Sequence, residues 1–256
     1  MSIDAKLARE RLREERKKYL DNLHRTKKHR AAAHGVLKAF IKQVKKGHDG
    51  WTLLESLDKA NGDTVTASEL KAALRDQLVP LQGNRCCYCR RWLMNSAYAR
   101  PIDHILPRSP YKRFSLHFLN LAIACVDCNS LKTNTIWGNI GKTRRAYPRY
   151  EEIVDWFHPR YHRYDEHIHY VRYDSNQITV VIFLGLTAQG RHLCKSLLSE
   201  VAATEMMLAN NPAMNSYLTA FNGLGDNVNE SKARHLREFQ DEMNRSLVRM
   251  LGSKKP

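Results

Sequence analysis

Nothing in this 256-residue sequence is apolar for long enough to cross a bilayer as a helix. The longest apolar run, Ile178 to Leu186, has nine residues with a threonine and a glycine inside it, where a span needs about 20. The expectation is no membrane association. No secretory leader is expected either, because MSIDAKLARERLREERKK is too charged to serve as one. That reading places the chain in the cytoplasm, where thiols stay reduced. Acidic residues are scarce: 26 Asp and Glu stand against 42 Lys and Arg, a formal net charge of +16. With 43% hydrophobic and 27% charged residues the composition is that of a folded protein and excludes a disordered one. No internal repeat or low-complexity tract is evident.

The basic excess favours a polyanionic partner, and nucleic acid is the first candidate. The bland alternative is a solvated basic surface. The excess is uneven. Residues 1–48 carry 15 basic and 5 acidic side chains, and residues 85–149 carry 12 and 2. Between them residues 49–84 are mildly acidic, and residues 150–256 are nearly neutral.

Val36, Leu37, Phe40, Ile41 and Val44 recur on one face of a 3.6-residue period, which predicts a helix with Lys38, Lys42, Lys45 and Lys46 on its other side. Residues 3–30 have a weaker pattern (Ile3, Leu7, Leu12, Leu20, Leu23). They read either as an arm that orders on a partner or as a docked helix with a solvated charged face. Asn61, Gly62 and Asp63 mark a turn. Thr66 or Ser68 then caps a helix through Leu70, Ala73, Leu74 and Leu78, ended by Pro80 and Gly83. Beyond residue 150, HIHYVRY and QITVVIFL read as two strands joined near Asp174–Asn176. A helix follows with Leu193, Leu197, Val201 and Ala202 on one side. A last helix carries Leu236, Phe239, Met243, Leu247 and Met250.

Six cysteines in a reduced compartment are better metal ligands or core residues than disulfides. Cys86 and Cys89 form one C-x-x-C, and Cys125 and Cys128 a second. Two such knuckles can bring four thiolates to a tetrahedral Zn²⁺, leaving no open position, so this zinc would be structural. The rivals are a redox pair or two disulfides. Cys87 and Cys194 are left over and read as structural or incidental.

Inside the basic block lies Asp103-His104 between apolar residues, followed by Leu106-Pro107-Arg108-Ser109. Asn120-Leu121 precedes the second knuckle, and Asn129 and Lys132 follow it. Singly, these are a core pair, a turn residue and a helix cap. Together, from Cys86 to Lys132, they resemble the HNH endonuclease family in its H-N-N form. The resemblance implies an α+β fold with a ββα-metal core, a two-stranded hairpin packed on a short helix. It implies that His104 is the general base, that Asp103 and Asn129 bind a catalytic Mg²⁺ or Mn²⁺, and that Asn120 braces the loop behind His104. A weaker resemblance, to a tail found after this core in some bacterial members, covers Phe157-His158-Pro159-Arg160, His167-Ile168 and the G-L-T-x-x-G-R run from Gly185 to Arg191. His158 and Ile168 depart from its pattern.

The expected activity is metal-dependent hydrolysis of DNA phosphodiesters, leaving 5′-phosphate and 3′-hydroxyl ends. Arg108, Lys112, Arg113, Lys132, Arg144 and Arg145 are candidate phosphate contacts. Family association further suggests an anti-phage defence effector, with a protein partner from such a system. The rival functions are a non-catalytic zinc-clasp nucleic-acid module and an interaction subunit that docks an acidic protein. The expected organisation is a basic helical region at 1–65, the nuclease domain with its clasp at 66–150, and an α+β accessory region at 151–256.

Overall fold

The structure, a computed structural model, describes residues 3–57, 65–93, 100–174 and 179–208. The turn expected at Asn61–Asp63 and the helix expected over Leu236–Met250 lie outside them. The architecture is mixed α and β, with two separate two-stranded antiparallel sheets among the helices.

Helix α1 spans Ile3–Asp21 and α2 spans Arg30–Lys45. With few apolar residues of its own, α1 docks through polar anchors. Glu15 takes the buried Arg160 guanidinium at 2.7 Å, and Arg11 donates to the carbonyls of Arg160 and Tyr161 at 3.5 and 3.4 Å. Leu12 is buried in one cluster with Tyr161, and Leu23, just past the helix, in another with Ala33 and Trp51. Of the two readings of this segment, the docked helix is therefore the one observed. These anchors cross from the first expected region to the third.

Helix α3, Gly50–Ser56, starts at Asp49, whose carboxylate accepts from the Trp51 amide at 2.9 Å. Helix α4 runs Ala67–Leu81. Thr66 caps it in a reciprocal capping box, with the Glu69 amide donating to Thr66 Oγ1 and Glu69 Oε2 accepting from the Thr66 amide. Pro80 lies inside its last turn and does not end it. The chain turns away instead at Gly83 and Asn84, both left-handed at φ +63° and +57°. Glycine carries no Cβ penalty in that region.

Strand β1, Ile102–His104, pairs with β2, Leu121–Ile123, in the register Asp103 opposite Ala122 and His104 opposite Leu121. Helix α5, Val126–Lys132, follows directly. After it, a single helical turn, α6 (Tyr164–His167), leads into β3, Ile168–Asp174, which pairs along its whole length with β4, Thr179–Gly185. Helix α7, Ala188–Leu193, continues through a π-helical segment, Cys194–Leu198, into α8, Ser199–Leu208.

The G-L-T-x-x-G-R run is a strand-to-helix joint. Thr187 caps α7 by accepting from the Gly190 amide, and its hydroxyl also meets His167 Nδ1 at 2.6 Å. A Cβ on Gly190 would sit 1.8 Å from the His167 carbonyl oxygen, so only glycine fits. His158 is fully buried nearby, accepting from the Arg160 amide on Nδ1 and meeting the Tyr147 hydroxyl through Nε2 at 2.8 Å. These tail residues carry packing.

One buried cluster joins Leu12, the cysteine knuckles, Tyr111, Phe114 and Trp156 to Leu193, Leu197 and Val201. A second lies between α2, α3, α4 and β2. No helix among the described residues is long and apolar enough to cross a membrane.

Candidate metal centre and the Asp103–His104 site

Cys86 and Cys89 sit on a turn after α4, closed by the Arg90 amide donating to the Cys86 carbonyl, with Arg90 itself at φ +60°. Cys125 and Cys128 open α5. The four sulfurs are buried and lie within 4.8 Å of one another, so they could hold a metal ion such as zinc. A tetrahedron with metal–sulfur bonds of about 2.3 Å has edges of roughly 3.8 Å. Cys89 and Cys125 Sγ are 3.7 Å apart, and all six cysteines are unbridged. Backbone amides already point at the sulfurs. Tyr88 and Cys125 donate to Cys86 Sγ at 3.5 and 3.2 Å, and Cys128 donates to Cys125 Sγ at 3.5 Å.

Burial opposes ionisation of Cys86, yet the Cys125 and Cys128 thiols hydrogen-bonded to it hold it well below an ordinary thiol. The Cys125 contact pushes Cys89 and Cys128 the opposite way. Four crowded thiolates need a cation between them, and binding one would release protons. Arg91 fastens the knuckles from outside, paired with Asp127 on α5 and, at 2.5 Å, with Glu205 on α8.

Three-residue strands have too few ladder bonds to persist alone. Side chains complete this pair. The Gln82 amide acts as a one-residue strand, with Nε2 donating to the Ile123 carbonyl at 2.8 Å and Oε1 accepting from the Ile123 amide at 2.9 Å. Asn120, fully buried, ties the loop after β1 at both ends. Its Oδ1 accepts from the Leu106 amide at 2.7 Å, and its Nδ2 donates to the carbonyls of Leu106 and Phe114, each at 3.1 Å. Tyr147 donates to the same Oδ1 at 3.1 Å.

His104 meets the Ser115 carbonyl through Nε2 at 2.9 Å. A carbonyl only accepts, so Nε2 carries the hydrogen and Nδ1 keeps its lone pair. Burial lowers the pKa of His104 below the ordinary value, and the Ser115 carbonyl opposes that shift. The ring is therefore neutral at pH 7. Trp51 packs edge-on against it at 4.7 Å. Ser115 is fixed in turn, since the Gly50 amide donates to its Oγ at 3.0 Å.

Asp103 is buried and its oxygens are engaged. Tyr88 donates to Oδ2 at 2.5 Å, and the Lys132 ammonium lies 3.2 Å from Oδ1 and from Oδ2. Lys132 also donates to the His104 carbonyl at 2.9 Å and sits 5.4 Å from the Trp137 ring centroid. At 1% exposure Lys132 is not at the surface, which corrects the phosphate-contact role expected of it: its charge is spent on Asp103. Asn129 is half-buried on α5, one turn before Lys132.

The other expected phosphate contacts scatter. Arg108 pairs with Asp49 at 3.2 Å, Arg113 donates to the Lys45 carbonyl, and Arg144 pairs with Glu152 at 2.6 Å. Lys112 and Arg145 are exposed. Tyr88, Ser115, Trp51 and Tyr147 went unread in the sequence. Only Tyr88, inside the first knuckle, had a positional signal. Comparison with protein-family models, with curated proteins and with solved structures gives no match for this chain.

Proposed function

We propose that the chain is a divalent-metal-dependent endonuclease of the HNH type that hydrolyses DNA, with a structural zinc in the four-cysteine clasp. The observation that carries this reading is the arrangement of His104. Its Nε2–H is spent on a backbone carbonyl, its Nδ1 lone pair is left available, and it stands beside a buried carboxylate on a strand flanked by the knuckles. Antiparallel β1 and β2 followed by α5 have the order of a ββα-metal core. In the proposed reaction Nδ1 of His104 takes the proton of a water that attacks phosphorus in line, and the bond to the 3′-oxygen breaks. Asn120 holds the loop so that this nitrogen keeps its place. Asp103 and Asn129 offer the oxygen donors that suit Mg²⁺ or Mn²⁺. Such an ion, when bound, stabilises negative charge on the phosphate and the departing oxygen. The exposed Lys112 and Arg145 are the phosphate contacts this reading retains.

The Lys132–Asp103 contact favours a second reading, a zinc-clasp nucleic-acid module without catalysis, because the carboxylate already has a counter-charge. One experiment separates the two: purified protein on supercoiled plasmid with Mg²⁺, Mn²⁺ or EDTA, beside His104→Ala. The nuclease reading expects metal-dependent nicking or linearisation that falls at least about 100-fold in the variant. Its acidic limb should lie below the usual histidine value near about 6.5, since burial lowers His104. A gel shift with no cleavage under any metal supports the module instead.

A further inference from the structure

A cleft of about 510 Å³ opens between α1 and the segment around Tyr147–Tyr150, within the range of small-ligand sites. Its lining residues include four arginines, Arg9, Arg13, Arg16 and Arg149, and no carboxylate. Arg9, Arg13 and Arg16 fall at i, i+4 and i+7, one face of α1. Like charges in such a row repel, each pair costing a few tenths of a kcal/mol in an isolated helix. Arg9 is compensated by Glu151 at 2.5 Å. Glu152, the next carboxylate along the chain, is taken by Arg144. Arg13, Arg16 and Arg149 are exposed at the cleft.

The lining also holds four rings, Tyr147, Tyr150, Tyr161 and His117, beside Leu12, Leu119 and Pro148. His117 stacks on Tyr147 at 4.3 Å, and its Nδ1 is buried with no hydrogen-bond partner among the described residues. A polar atom left so, beside rings and the exposed guanidinium groups of Arg13 and Arg16, calls for a ligand with both an anionic group and a planar polar ring.

We propose that this cleft binds a nucleotide unit, its phosphate between Arg13, Arg16 and Arg149 and its base against the half-buried Tyr150. The unit comes either from a free nucleotide or from an unpaired nucleotide of a strand. Arginine forks suit phosphate oxygens, and a tyrosine face accepts any base. The site is independent of the nuclease reading, since it needs no divalent ion and no bond is broken. Its Tyr147 wall does hydrogen-bond Asn120, so occupancy would press on the loop that Asn120 braces.

The test uses the whole chain in EDTA, where no metal-dependent cleavage occurs and failure of the nuclease reading leaves the result untouched. Deoxyadenosine monophosphate, inorganic phosphate and a hexathymidylate are titrated by calorimetry into the wild type, Arg13→Glu/Arg16→Glu and Tyr150→Ala. Both arginines are exposed, and circular dichroism checks that each variant is folded. Saturable binding of one mononucleotide or one oligonucleotide per chain is expected, at least about tenfold weaker in the double variant. Tyr150→Ala should weaken the nucleotide about tenfold and leave inorganic phosphate unchanged. Tighter binding of the hexathymidylate assigns the site to a strand, and equal or weaker binding assigns it to a free nucleotide. Either supports the proposal. No saturable binding of either nucleotide probe, or equal affinity in the double variant, overturns it. Equal affinity for phosphate and mononucleotide overturns the base-binding half.

Discussion

The two antiparallel sheets are built on opposite plans. β3 and β4 have seven residues each and pair along their full length. β1 and β2 have three each, and side chains from outside hold them: Gln82 on one edge, Asn120 behind, the cysteine clasp at the end. The long sheet draws its order from its own backbone and from glycine-tight contact with α7. The short sheet is imposed by its surroundings. That places Asp103 and His104 where neighbours, and not strand length, fix their geometry.

The largest blow to this contrast is Cys128→Ser. Under the proposed zinc clasp, loss of the metal removes on the order of 10 kcal/mol, and metal content should fall below half an equivalent by elemental analysis. Amide protection should vanish at Ile123 and Ala124 while persisting at Val171 and Ile182, a hydrogen-bonded pair of the long ladder. Equal loss at both sheets would mean that they melt as one unit. Lys132→Met comes next. It strands a buried carboxylate and should cost about 3–5 kcal/mol, with the Asp103→Asn/Lys132→Met pair recovering most of it; urea unfolding of the three proteins measures this. Gly190→Ala attacks the long sheet by forcing the α7 joint apart, and we expect about 3 kcal/mol in the same assay, with zinc retained.

Acid adds a test that falls outside both sheets. Burial holds His117 and His162 at about 4. Below the ordinary value near 6.5 the unfolded chain therefore binds protons that the folded one refuses. Stability falls as pH drops from about 6.5 and levels off below about 4. Each histidine should cost about 2 kcal/mol by pH 5, read as a lower urea midpoint than at pH 7. The smallest effect is Gln82→Ala, which removes the side-chain partner of the Ile123 amide and should cost about 1–2 kcal/mol.

What the sequence disclosed was local. The C-x-x-C spacings marked the four residues that converge as a candidate metal centre, Thr66 or Ser68 marked the start of α4, and alternation in HIHYVRY and an apolar run in QITVVIFL marked β3 and β4. Asp103 and His104 stood out by adjacency, not by strand pattern, because three residues cannot show a period. What stayed hidden depends on distant partners. Lys132 read as a surface cation because Asp103 is 29 positions away. Glu15 gave no sign of the Arg160 that anchors α1 from 145 positions on. Trp51 carried nothing to tell it from any core aromatic, yet it packs against His104.

Gln82 has a consequence beyond the energy of two hydrogen bonds. A two-stranded sheet has two open edges, and an open edge invites another chain to add a strand. By taking both polar groups of Ile123, and with the Cys87 amide on the same carbonyl, Gln82 closes the outer margin of β2 to strand addition. The end of a helix thus protects the shorter of the two described sheets from aggregation, and Gln82→Ala should lower the protein's solubility on concentration more than its small stability loss alone accounts for.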